Sequence, residues 1–186
     1  MTILCAVRGD RPAPPLPGAG GGSSEPLLVD PLTGFGTRSA LLADLGATVE
    51  GDHCPTLLVI FGLDGFDEYV TLFGSLAGRT LLVKLGARLA DALGTGATCY
   101  RPRQDEFAAL VPTTIGAVTE ILDRAVAALR ERAASVAVSA AWGAAMLPEE
   151  ADDPVGALKL ADERLASNAP RRRRRNRRAN PRDSSS

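Results

Sequence analysis

The chain has 186 residues, 45% of them hydrophobic, which suits one folded domain with a real core and leaves too little chain for two. The longest apolar runs have the length of strands, so we expect no membrane span, and the N-terminus lacks the order of a secretory signal. The three cysteines, Cys5, Cys54 and Cys99, have no CxxC spacing and favour free, buried thiols in a reducing compartment, which predicts a cytoplasmic protein.

The predicted elements begin after residues 1–26, which are rich in proline, glycine and serine and which we expect to be disordered. A helix follows over Thr37–Gly46, with Thr37 or Ser39 near its cap and Gly46 as its stop. The run Leu57–Leu63 is continuously apolar and predicts a buried central strand. Leucines at helical spacing then predict a helix over Thr80–Gly94.

The second half of the folded unit begins with a hairpin over 98–112. A helix over 115–133, a strand over 135–147 and a final helix over 153–168 follow it. This order indicates an α+β fold in which helices flank a central antiparallel or mixed sheet with a βαββαβ core.

Charge separates the folded unit, residues 27–168, from a tail over 169–186 that we expect to be disordered. Residues Arg171–Ser186 hold eight arginines and one aspartate, a net charge of +7, against 13 basic and 21 acidic residues in the rest of the chain. The segment Arg171–Arg182 predicts either binding to nucleic acid or another anionic surface by counterion release, or a solvated tail that folds back on the acidic body.

Five segments, in order and spacing, resemble the GGDEF domains of diguanylate cyclases. "DPLTGFGTR" (Asp30–Arg38) resembles their opening D-x-L-T-G-L-x-N-R, and "LDGFDEYVTLFG" (Leu63–Gly74) resembles DxDxFKxxNDxxG. "RPRQDEFAALVP" stands where RxGGDEFxxxxP is expected, and "SVAVSAAWGAA" and "ALKLADERL" resemble the closing strand and the last helix. The resemblance implies a nucleotidyl-cyclase-like fold over residues 27–168. It also implies a reaction in which two domains, each holding one GTP, form cyclic di-GMP with the help of a carboxylate-bound metal.

The residues expected to hold that metal depart from the family pattern. Gly62 stands at the position of the first metal ligand, and Asp64 takes the second aspartate of that segment. Asp105 keeps the acidic third position of the signature. A Mg²⁺ ion held between protein and phosphates usually takes one or two carboxylates, so a vestigial site at Asp105 is the most that the resemblance implies.

The guanine pocket and the signature turn depart as well. The family's asparagine falls on Val70, and its aspartate falls on Arg79, which donates hydrogen bonds where the base needs an acceptor. Arg103 and Gln104 replace both signature glycines. We expect their side chains to block the approach of a nucleotide and to strain any turn that needs a positive φ, at about 1 kcal/mol per residue. The remnant signature is therefore Arg103, Gln104 and the retained Asp105, Glu106 and Phe107.

Taken together, these departures predict a catalytically inactive GGDEF-like domain, with no catalytic residues, that acts through protein contacts, with a protein partner or a second copy, in cyclic-di-GMP signalling. The alternative is a receptor module for GTP or cyclic di-GMP that uses Asp64, Arg79 or Arg101; an active cyclase is the third reading. No cofactor is certain, and Mg²⁺ is expected only if the remnant site binds nucleotide. Asp64 is otherwise expected to cap the next helix, and His53 to be a solvated loop residue.

Overall fold

The computed structural model describes residues 27–50 and 54–169; the N-terminal segment, His53, Cys5 and the arginine-rich tail lie outside them. The elements in chain order are α1 (Arg38–Glu50), β1 (Thr56–Asp64), α2 (Phe66–Phe73), α3 (Ser75–Leu93), β2 (Thr98–Arg103), β3 (Glu106–Pro112), a 3₁₀ turn (Ile115–Ala117), α4 (Val118–Ala128), β4 (Glu131–Ala133), β5 (Val136–Leu147) and α5 (Pro154–Asn168). No helix in these two ranges is both long and apolar enough to cross a membrane.

The five strands form one sheet in the order β2-β3-β1-β5-β4. Strand β1 lies at its centre and pairs with β3 on one side and β5 on the other, and every pairing between strands is antiparallel. The units β1-α3-β2 and β3-α4-β5 give the expected βαββαβ core, and the α+β prediction is confirmed. The sheet is antiparallel rather than mixed, since among residues 27–50 and 54–169 parallel pairing is confined to the isolated bridge between Gly36 and Tyr100.

Helices cover both faces of the sheet, which explains why β1 is apolar at almost every position. Leu57, Val59 and Phe61 point into a core shared with α2, α3 and α4. Leu58 and Ile60 point the other way, into a core shared with α1 and α5. Because successive side chains of a strand face opposite sides, only a doubly covered central strand buries both sets.

Local signals set most helix ends. Thr37 precedes α1 and accepts a hydrogen bond from the Ala40 backbone at 3.5 Å, as predicted for a cap. Asp153 caps α5 by accepting from the backbone N–H groups of Val155 (2.9 Å) and Gly156 (2.8 Å). The predicted stop at Gly46 is wrong, because α1 continues to Glu50: a single glycine lowers helix propensity but does not end a helix that buries one face.

The segment after β1 differs from the prediction in two ways. It forms two helices, α2 and α3, separated at Gly74, whose φ is 86°. The residue that caps α2 is Gly65, so the prediction that Asp64 caps this helix is wrong. Gly65 has a φ of 83°, and a Cβ atom there would collide with the Ala137 carbonyl oxygen, so glycine is required at this point.

The predicted helix over 115–133 is too long. Helix α4 ends at Ala128, and Glu131–Ala133 forms β4, which pairs with the start of β5. Strand pairing at the sheet edge here overrides the helical pattern. The expectation of free thiols is wrong for Cys54, which is disulfide-bonded; Cys99 is free, and burial raises the pKa of its thiol to about 11.

Candidate nucleotide and metal site

The signature turn joins β2 and β3 and lies beside the end of β1. Its tip is held by two backbone contacts: the Leu63 N–H donates to the Asp105 carbonyl (2.9 Å), and Arg101 Nη2 donates to the Gln104 carbonyl (2.9 Å). Among the described non-glycine residues only Ala134 has a positive φ. The expected strain at Arg103 and Gln104 is therefore absent, because the turn adopts a conformation that needs no glycine.

The shape of the turn depends on an irregularity in the hairpin. Strands β2 and β3 pair regularly from Thr98↔Leu110 to Tyr100↔Ala108, and the register then shifts before Arg103↔Glu106. Such a bulge turns the last side chains of a strand toward new directions. Here it brings the Arg103 side chain over the first residue of β3.

Arg103 forms an ion pair with Glu106 across the turn. Its Nη1 lies 3.0 Å from Oε1 and 3.2 Å from Oε2 of the carboxylate. The Glu106 side chain is 3% exposed, whereas that of Arg103 is 52% exposed. A signature carboxylate is thus buried under an arginine that stands at the position of a signature glycine.

The residue of β1 that pairs with Glu106 has no carboxylate. Gly62 of β1 pairs directly with Glu106 of β3, so the two residues are on the same face of the sheet. Gly62 takes the position of the family's metal-binding aspartate. Asp64 ends β1 and pairs with Ser139 of β5 instead. Over residues 27–50 and 54–169 there is no group of three acidic, histidine or cysteine side chains arranged to hold a metal ion. Of the two positions that hold the metal in the family, Asp105 has a carboxylate and Gly62 has no side chain, so the donor set that remains is one carboxylate.

Arg101, an expected phosphate ligand, is instead part of the scaffold. Its Nη1 lies 3.1 Å from both carboxylate oxygens of Asp30, in a pair whose side chains are 12% and 15% exposed. Thr33 also donates to Asp30, from its backbone N–H (2.9 Å) and its hydroxyl (2.6 Å). Burial would raise the pKa of Asp30, but the hydrogen bonds from Thr33 and Arg101 outweigh it and lower that pKa below 3.8. Asp30 therefore ties the opening segment to β2 through Arg101.

The two positions that read guanine in the family lie on α2, at Val70, and on α3, at Arg79. Val70 is partly buried and packs against the larger core. A Cβ atom on Gly78 would lie 2.5 Å from Val70 Cγ2, so the valine side chain fills the space over this glycine. Arg79, the next residue, is exposed on α3. The apolar contact leaves no hydrogen-bonding group at Val70 for a base edge.

One surface of α2 and α3 was not predicted from the sequence. A groove of about 490 Å³ lies along these helices and ends at the ion pair between Lys84 Nζ and Glu131 Oε2, 2.9 Å apart. Beside it Leu72 is 57%, Phe73 40% and Leu76 78% exposed. The signal available in the sequence was the apolar run around Gly74, but it could be recognised as exposed only once the break between α2 and α3 was known.

Comparison with known proteins places these features in a family. A model of the diguanylate cyclase GGDEF domain matches residues 27–176. The diguanylate cyclase TpbB of Pseudomonas aeruginosa is 31% identical over 143 residues, which cover 72% of this chain and 33% of TpbB, so the chain spans about a third of that relative.

Two solved structures show how far the likeness extends. The GGDEF domain of TpbB superposes with a TM-score of 0.68 at 27% identity, covering 75% of this chain and 87% of that domain. A microbial GGDEF domain whose interaction with cyclic di-GMP has been described superposes with a TM-score of 0.64 at 26% identity, covering 76% of this chain and 92% of that one.

Proposed function

Because the chain belongs to the GGDEF domain family of diguanylate cyclases, we propose that it is a catalytically inactive member that acts through protein contacts in cyclic-di-GMP signalling. The observation that carries this proposal is the pairing of the buried Glu106 with Arg103 opposite Gly62. Phosphoryl transfer depends on positioning and on cations that stabilise the developing charge. In this site the Glu106 carboxylate already has a protein cation, and Gly62, at the position of the family's first metal ligand, contributes no carboxylate.

The replacement at the base-reading positions supports the same conclusion independently. Val70 packs on Gly78 and has no hydrogen-bonding group. The exposed Arg79 can only donate hydrogen bonds, at the position where guanine's own donor groups need an acceptor. A base whose donors meet no acceptor in the site loses hydrogen bonds that it makes in water, so binding of guanine there is disfavoured. The loss of one metal ligand, at Gly62, and the loss of base contacts at Val70 and Arg79 make turnover of GTP doubly unfavourable.

The test is incubation of the pure protein with GTP and Mg²⁺ or Mn²⁺, followed by chromatography for cyclic di-GMP. The GGDEF domain of TpbB, in the same buffer, serves as the positive control. We expect no product above the rate without protein. Product formation by this chain, abolished by Asp105→Asn, would show that the proposal is wrong.

The exposed apolar side chains of α2 and α3 support the protein-contact role. Leu72, Phe73 and Leu76 expose apolar surface side by side, next to the groove. Contiguous apolar patches on soluble domains mark contact sites for proteins or membranes. Sedimentation of the wild type and of Leu76→Glu over a range of concentrations tests self-association through this surface: a dimer that dissociates in the variant identifies the partner as a second copy.

A second candidate function, a receptor for cyclic di-GMP or GTP, is favoured by one finding. A GGDEF domain 26% identical to this chain is described in an interaction with cyclic di-GMP. Of the three residues expected to contact a ligand, Arg101 is paired with Asp30, Asp64 ends β1, and Arg79 alone is exposed. Calorimetry with both nucleotides tests this function, and Arg79→Ala should remove any binding that uses the family pocket. The role of the Arg171–Arg182 tail, outside the described residues, stays a prediction.

A further inference from the structure

We propose that the outward surface of α2 and α3 is a self-association site, on which a second copy of this chain packs the same two helices about a two-fold axis. The inference rests on the proposed protein-contact role and names the partner. The contact is separate from the signature turn, because the groove on this surface ends at Glu131 of β4, and β4 and β2 form opposite edges of the sheet.

Helix α3 carries apolar side chains on two opposite faces. One face is buried against the sheet and includes Leu82, Leu85 and Leu89. On the opposite face, Leu76 is 78% and Val83 44% exposed. A helix that only covers a sheet usually presents polar side chains to water. The outward face of α3 is therefore suited to pack against a further element.

The surface offers both halves of a fit. Leu72 and Leu76 are exposed on either side of the break at Gly74, and the groove of about 490 Å³ lies beside them. Tyr69 and Phe73 line this groove, with ring centroids 4.7 Å apart. A two-fold contact uses the same patch on both subunits, so that patch must be complementary to itself. Exposed leucines beside an apolar groove meet that requirement.

The charges of the two helices favour a second copy over other partners. The charged residues of α2, Asp67 and Glu68, are acidic. Those of α3 are basic from Arg79 to Arg88. A partner that presents only one sign of charge would be repelled by one of these helices. A second copy that places its α2 across α3 presents the opposite sign to both.

Glu68 and Arg79 are the charges closest to the apolar centre of this surface. Glu68 lies one helical turn before Leu72, and Arg79 lies one turn after Leu76, so each shares an exposed stripe with its leucine. Neither charged side chain forms an ion pair with another residue of 27–50 or 54–169. About a two-fold axis, Glu68 of each copy faces the partner's Arg79, and this contact occurs twice.

The experiment is sedimentation of the full chain over a range of concentrations, with circular dichroism to verify that each variant folds. The wild type should form a dimer in the micromolar range, because a contact built on few apolar side chains is small. Glu68→Arg and Arg79→Glu should each raise the Kd of the dimer by about tenfold or more, because like charges then face each other twice. An equimolar mixture of the two variants should dimerise as the wild type does, since each supplies the charge that the other has lost.

Two control variants make the same charge changes on α5, which packs on the other face of the sheet. Lys159 and Glu163 are 76% and 63% exposed there, so Lys159→Glu and Glu163→Arg should leave the Kd within about twofold of the wild type. Leu76→Glu tests the apolar centre without depending on the charge pairing, and it should abolish the dimer.

Three results would overturn the inference. They are a wild type that is still a monomer at about 1 mM, a dimer whose Kd the two charge reversals leave unchanged, and a mixture of the reversed variants that dimerises no better than either alone. Each of these leaves the proposed lack of catalysis standing. Cyclic di-GMP production by the wild type would instead overturn the lack of catalysis and leave this contact standing.

Discussion

The contact between Arg101 and Asp30 should be one of the most important polar contacts for stability. Replacing Arg101 with glutamine removes two contacts of 3.1 Å to the Asp30 carboxylate. The shorter glutamine side chain also cannot reach the Gln104 carbonyl, which lies 2.9 Å from Nη2 of the arginine. The variant thus loosens both the opening segment and the tip of the signature turn. Asp30 keeps its two hydrogen bonds from Thr33, so it is not stripped of all partners.

The size of the effect follows from burial. Removing one member of a buried ion pair costs about 3–5 kcal/mol, but the pair here is 12% and 15% exposed, and the carboxylate retains Thr33. The buried Nε of Arg101 has no hydrogen-bond partner, which takes away part of what the arginine contributes. We therefore expect a loss of about 2–3 kcal/mol in the free energy of unfolding.

The assay is urea denaturation followed by circular dichroism, with Arg132→Gln as the control for loss of one arginine. The pKa of Asp30 is lowered in the folded protein, so its contribution is present above the unfolded value, near 3.8, and is lost as pH falls through the folded value. The loss of stability below pH 4 should shrink in Arg101→Gln without vanishing, because Thr33 remains. A variant within about 0.5 kcal/mol of the wild type, or no less stable than the control, would refute this reasoning.

Three further changes have defined outcomes. Gly143→Val should prevent folding or lower Tm by more than about 10 °C, because a Cβ at this residue would collide with the Ala161 carbonyl where α5 packs on β5; circular dichroism measures it. Hydrogen bonding by Arg164 lowers the pKa of Glu150 to about 2, so stability should fall as the pH is lowered from about 4.5 to 2. In Glu150→Gln, the Tm from thermal melts should depend less on pH over that range. Cys99, with a pKa of about 11, should react with a thiol reagent at pH 8 far more slowly in native than in denatured protein; equal rates would contradict the burial.

The parts of the fold that the sequence predicts well are those in which one strong local pattern decides. The buried run of β1 and the Asp153-Pro154 start of α5 both lie within one residue of their predicted places. Strand β4 could not be predicted in the same way, because three residues carry too little pattern and its pairing with β5 decides. The predicted helix began at Thr80, so the break at Gly74 and the start of α3 at Ser75 were not predicted.

For the site, the sequence predicts which groups are replaced and fails to predict what the replacements do. Arg103 was expected to strain the turn, and it instead pairs with Glu106 in a turn without positive φ. The two residues flank the tip of a hairpin, and opposite charges at such cross-strand positions are a recognisable signal. Which of Asp105 and Glu106 pairs with Arg103, however, depends on the bulge after Tyr100, and no short sequence pattern predicts that bulge.

The replacements also share a consequence for the domain as a whole. In a metal-dependent site, bound metal and nucleotide contribute to stability, so the empty and occupied forms differ in free energy. Here Arg103 pairs with the buried Glu106, and Val70 fills the space over Gly78. Under the proposed function, these contacts leave the domain little to gain from binding a ligand in that pocket. A regulatory partner would then bind a surface that the fold leaves exposed, and the exposed apolar side chains of α2 and α3 form such a surface.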